Sequence, residues 1–146
     1  MSTKQLDTLL KYEQSKEHKL AEALHLAEQD QQQNALRLQS VADYRFEYMK
    51  RLYERSLAGI ESSTYSHYHA FVSKLDNAAE QVRVALQQSE ALMQQRKQQW
   101  FEQRRKVEAV EILLAKKQSQ LVDKENRKEQ RMFDEIATQQ FVRRHQ

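Results

Sequence analysis

Proline and cysteine are both absent from the 146 residues, and glycine occurs once, at Gly59. With no proline and a single glycine the chain has almost nothing from which to build several tight hairpins, which all but excludes a multi-stranded sheet. Without cysteine there is no disulfide framework and no thiolate metal site. No apolar run is long enough to cross a bilayer, and the leading stretch MSTKQLDTLLKYEQSKEH has no apolar core of the kind a signal peptide carries. These absences point to a soluble cytoplasmic protein with no direct membrane insertion.

What the chain does contain suits long helices. Charged residues make up 31% and apolar residues 39%, and apolar positions recur at helical spacing even through the glutamine runs Gln31-Gln32-Gln33 and Gln94-Gln95. The net charge of +3 is unevenly placed. Residues 1–95 carry 11 basic and 13 acidic side chains, residues 96–146 carry 13 and 8, so the C-terminal third is where an anionic partner is drawn.

Written in sevens, the second half shows Val72, Ala79, Leu86, Met93, Trp100, Val107, Leu114 and Leu121 at one heptad position. The companion position reads Leu75, Val82, Ser89, Arg96, Gln103, Val110 and Lys117. Alternating 3–4 spacing of this kind is the pattern of a left-handed coiled coil. A weaker stripe in the first half runs through Leu6, Leu10, Leu20, Leu24, Ala27, Leu38, Val41, Tyr48 and Leu52. Glu13, Glu17, Gln31, Asn34 and Arg45 interrupt it. Polar seam residues weaken a pair but help fix its register.

Between the stripes lies SLAGIESSTYSHY, residues 56–68. Gly59 supplies the backbone freedom that a helix C-terminus needs, and Ser62, Ser63 or Thr64 can cap the next helix. The economical architecture is all-α, a long antiparallel two-helix coiled-coil hairpin forming a single domain. Helix 1 covers about 3–58, the reversal 59–64 and helix 2 about 65–140. Pairing outward from residue 61 sets Leu52 near Phe71, Leu38 near Leu86 and Leu6 near Lys116. The C-terminal part of helix 2 then overhangs without a partner. Two straight helices in an intermolecular bundle are the alternative.

Catalytic chemistry finds no footing. His67 and His69 point in different directions on a helix, while His18 and His25 share a face without a cluster of acidic ligands. No Gly-rich phosphate loop or nucleophile elbow is present, and two helices alone offer no pocket to exclude water. Neither an enzyme nor a metal or cofactor site is expected. The segment QQRKQQWFEQRRKVE sets Arg96, Lys97, Arg104, Arg105 and Lys106 around Trp100 and Phe101, a mixture seen in nucleic-acid binders. Trp100 lies on the apolar stripe, however, and Glu102 and Glu108 dilute the charge, so no nucleic-acid partner is expected.

Four segments taken together carry a resemblance: VADYRFEYM at 41–49, HYHAFVSKLDNAAEQ at 67–81, Trp100 to Lys116, and ENRKEQRMFDEIA at 125–137. In order and spacing they resemble the FliJ proteins of the bacterial flagellar export apparatus. Stalk proteins of virulence type III secretion systems are similar in outline. The resemblance implies a non-enzymatic, long antiparallel coiled coil, similar to the central stalk of rotary ATPases. Its implied partners are the hexameric export ATPase, the cytoplasmic domain of the export gate protein, and export chaperones that it escorts. Its implied place is the cytoplasm, at the inner face of the cell membrane through the export apparatus. The family's gate-binding stripe matches Phe71, Leu75, Ala78 and Val82, and Phe71, next to the reversal, is the strongest of the four because the seam is expected to end there. The terminal end of the hairpin is implied to enter the ATPase ring, where Arg127, Lys128, Arg131, Arg143 and Arg144 would meet acidic groups. For Leu24, Leu38, Val41, Leu52, Leu86, Met93, Trp100, Val107 and Leu114 the expectation is seam packing.

Overall fold

The described residues form two helices: α1, Thr3–Ala58, and α2, Ser62–Arg144. They are seen in a computed structural model that describes residues 1–145. They pack against each other as an antiparallel hairpin, and the described residues contain no strand.

The first helix opens with a reciprocal cap. Ser2 Oγ accepts the Gln5 backbone N–H at 3.2 Å, and Gln5 Oε1 accepts the Ser2 N–H at 2.9 Å. This satisfies two amides that a helix start otherwise leaves unpaired. The first helix stops at Ala58 because Gly59 adopts φ 91°, the left-handed conformation common just past a helix C-terminus. The Gly59 N–H reaches the Ser56 carbonyl at 3.3 Å.

The second helix begins earlier than the sequence suggests, at Ser62 rather than residue 65. Its cap position therefore falls on Glu61, whose carbonyl accepts the Tyr65 N–H at 3.0 Å. Ser62, Ser63 and Thr64 lie inside the first turn instead of capping it. The same helix runs to Arg144, past the expected end at 140. With no proline in the chain, nothing removes a backbone donor along the way.

The chain divides into two compact units, Lys19–Phe101 and Met1–His18 with Glu102–Gln146. In the first, Ala27, Leu52 and Val72 are buried, and Leu24, Leu38, Val41, Leu86, Met93 and Trp100 are half-buried. Asn34 and Ser89 are buried there too. The Ser89 hydroxyl turns back onto the Leu86 carbonyl at 2.8 Å, which removes its need for a partner across the seam. The Trp100 indole Nε1 is buried without a hydrogen-bond partner. Tyr48 meets the Phe71 ring, at 4.5 Å between centroids.

In the other unit the core is Leu6, Val107, Val110 and Leu114, with Val107 fully enclosed. Gln103 is buried among them. Its amide donates to the Glu13 carbonyl at 2.9 Å and to the Glu13 carboxylate, and Arg104 bridges to Glu17 at 3.6 Å. Two polar positions of α1 are therefore matched by two on α2, the arrangement by which polar seam residues fix register. Leu6 and Lys116 line one shallow groove with Met1, Leu113, Lys117 and Gln120. There α1 begins, and α2 continues without it. From Gln118 to Arg144 every residue of α2 is exposed, including Leu121, the last member of the heptad stripe, at 48%.

Candidate functional site

The first candidate surface lies beside the reversal. Phe71, Leu75, Ala78 and Val82 fall at spacings of 4, 3 and 4 on α2, and all four are half-buried. The seam does not end at Phe71. It continues through Leu52 and Val72, both buried, and through half-buried Tyr68 and Thr64. The Phe71 ring is instead held by α1: Tyr48 lies 4.5 Å away, and Tyr44 meets it edge-on at 6.0 Å. Tyr48 also contacts Tyr68 at 4.9 Å, and the Arg55 guanidinium sits over the Tyr68 ring at 5.6 Å. Aromatic pairs in these offset and edge geometries attract beyond simple burial, so the four rings form one platform drawn from both helices.

Tyr44 stays 52% exposed within that platform. On the same stretch Arg45 Nε pairs with Asp76 at 2.6 Å, tying α1 to α2 next to the rings. Phe71 alone understates this surface. Tyr44 and Tyr48 are brought to it by the register, and their i, i+4 spacing was the only sign of it in the sequence.

The second candidate surface is the bare part of α2. Arg127, Lys128, Arg131, Arg143 and Arg144 are all exposed, but they do not form one patch. At about 100° per residue, Arg127, Lys128 and Arg131 share a strip with Lys124. Arg143 lies about 60° beyond it, in line with Met132 and Ile136, and Arg144 well round the helix. Next to that strip is an apolar face, with Met132, Phe133 and Ile136 exposed by 62%, 67% and 47%. With Glu129 they line a groove of about 250 Å³. Asp134 takes hydrogen bonds from Gln130 at 3.2 Å and from Thr138, through its carbonyl, at 2.9 Å, both within this stretch.

The basic and aromatic residues around Trp100 are partly engaged locally. Arg96 donates to Gln99 at 3.1 Å, Trp100 is half-buried against Phe101, and Arg104 meets Glu108 at 3.4 Å besides Glu17. Among the described residues no cluster of three or more histidines or carboxylates is placed to hold a metal ion. No helix of the described residues is long and apolar enough to cross a membrane.

Comparison with known proteins gives a consistent result. The profile of the family described as "Flagellar FliJ protein" matches residues 2–146. Curated proteins of that name from Salmonella typhi and from Escherichia coli strain K12 are each 28% identical over 113 residues, which is 77% of this chain and 77% of theirs. No solved structure gives a significant match. With a profile match across nearly its whole length, this chain belongs to the FliJ family of flagellar proteins.

Proposed function

We propose that this flagellar protein is a non-enzymatic stalk of the export apparatus. In this reading it joins the export ATPase to the export gate and hands on export chaperones. The observation that carries the reading is the bare stretch of α2 from Gln118 to Arg144. A lone helix is about 10–12 Å across with its side chains, slender enough to enter the centre of a protein ring. This one presents a basic strip beside an apolar face. The strip of Lys124, Arg127, Lys128 and Arg131 meets acidic groups of the ring, and Met132 and Ile136 lose water on entry. Binding energy gained only in the assembled ring favours assembly over the free subunits, by linkage.

The ring platform beside the reversal serves the other partner. Phe71, Leu75, Ala78 and Val82, extended by Tyr44 and Tyr48, dock the cytoplasmic domain of the gate through aromatic and aliphatic contact. Chaperones use the remaining exposed faces. The protein then sits in the cytoplasm, held at the inner face of the membrane by its partners.

The test is ATP hydrolysis by the export ATPase of the same organism, at concentrations where its ring is incompletely assembled. The full chain is compared with a chain ending at Asp123, both checked for helicity by circular dichroism. Stimulation by the full chain alone is the expected result. Equal stimulation removes the overhang from the ring, and none from either removes the stalk reading in favour of an adaptor for chaperones.

A further inference from the structure

We propose that the bare segment of α2 pairs with the same segment of a second copy, antiparallel, about a two-fold axis level with Asp134. The inference concerns the chain by itself and does not depend on the ATPase reading. Three observations on that segment lead to it.

The first is continuity with the existing seam. Met132 lies eighteen residues beyond Leu114, which in an α-helix is five full turns. It therefore sits on the same face that α1 covers at Leu114, buried to 9%. Leu121 and Ile136 fall close to that line. The seam does not stop where α1 begins; its covering helix does. The exposed groove formed by Glu129, Met132, Phe133 and Ile136 is the uncovered continuation.

The second is self-complementarity. Reflection about position 134 sets Met132 of one copy against Ile136 of the other, and the reverse. It sets Glu125 against Arg143, Glu129 against Gln139, and Lys128 against Gln140. No like-charged pair faces itself across this strip, and the two apolar positions meet each other at its centre. Pairs of opposite charge flanking an apolar layer are what specify partner and orientation in coiled coils. Because Glu125 finds its opposite charge in Arg143, and Met132 its apolar partner in Ile136, on the same segment, the partner it fits is a second copy. Two-fold contacts of this kind are the commonest in homo-oligomers.

The third is length. The reflected strip occupies 123–145 and ends before Lys117, the last half-buried residue of the covered stretch. The second copy thus fits against α2 without displacing α1. It covers Met132 and Ile136, which are otherwise left to water.

The experiment is sedimentation equilibrium of the full chain at increasing concentration, without any partner protein. The expected result is a rise from 17.5 kDa towards twice that mass. Met132→Lys is expected to leave the chain at its single mass while helicity is unchanged. Glu125→Arg and Arg143→Glu each place like charges opposite one another twice per dimer, and each is expected to raise the dissociation constant roughly tenfold. The double variant carrying both is expected to restore it. A single mass at every concentration up to the millimolar range overturns the proposal. So does a dimer that survives Met132→Lys, or a double variant weaker than either single one. Because no ATPase is present, these outcomes are separate from the fate of the stalk reading.

Discussion

Replacing Gly59 isolates a conformational effect from a packing one. Its φ of 91° is a conformation that side chains with a Cβ rarely adopt, yet a Cβ built there meets nothing within 4 Å. Any loss of stability in Gly59→Ala is therefore backbone strain and not collision. Left-handed backbone disfavours an L-residue by about 1–2 kcal/mol. Alanine also narrows the unfolded ensemble, which returns about 0.4–1 kcal/mol to the folded state. The net expectation is a destabilisation of about 1 kcal/mol, which for a chain of this size lowers Tm by roughly 2–4 °C. Gly59→Asn should lose less, since asparagine visits this conformation with a smaller penalty. Gly59→Val should lose more, since a β-branched residue there is a true outlier. Urea unfolding followed by circular dichroism at 222 nm would give the order Gly, Asn, Ala, Val. If Gly59→Ala equals or exceeds the wild type, the reversal does not use left-handed backbone and the account of why α1 stops at Ala58 fails.

Two further outcomes follow from the seam. Val107 is fully enclosed and Leu121 is 48% exposed, although both belong to one heptad stripe. Val107→Ala should destabilise by about 2 kcal/mol, two methylene-sized groups plus the cavity left behind. Leu121→Ala should stay within about 0.5 kcal/mol. Thermal melts of the two variants compare them directly, and equal losses would mean that α1 covers more of α2 than the structure shows. The Arg45–Asp76 pair is half exposed on both sides, at 44% and 51%. A double-mutant cycle to alanine should give a coupling below about 1 kcal/mol that falls further in 1 M salt, and a larger, salt-insensitive value would mark the pair as structural.

The fold was readable because one signal was rare and the other repeated. A single glycine in a chain without proline fixes where two helices can separate, and the heptad stripes on either side say that they return along each other. Finer features escaped for local reasons. The serine and threonine cluster at 62–64 suggested caps, but capping depends on which residue first leaves helical geometry, and that fell on Glu61. The reciprocal Ser2–Gln5 cap follows a recognised sequence pattern and was open to view. At the candidate surfaces, residue type was legible and grouping was not. Tyr44 and Tyr48 join Phe71 across the two helices, and no composition rule says which side chains of facing helices will touch. The five arginines and lysines of the overhang read as one basic end, while helical phase separates Arg144 from the strip.

A two-helix protein has only one seam, and this sets a limit on how it can recognise partners. Each helix buries a narrow stripe and leaves most of its circumference in water, so the described residues have little interior beyond that stripe in which to hide a reactive or sticky group. Large apolar side chains used for docking must then either share the seam or stand fully exposed. The protein does both. Phe71, Leu75, Ala78 and Val82 are half-buried, so each contributes one flank to the hairpin and one to the surface. Met132, Phe133 and Ile136 stand clear of α1 altogether. Loss of binding on truncating Phe71 is consequently entangled with loss of its contact to Tyr48. Loss on truncating Met132 is not, because no element of the same chain packs over it. The overhang is for that reason the part of the molecule where a binding measurement reads recognition with the least contribution from folding.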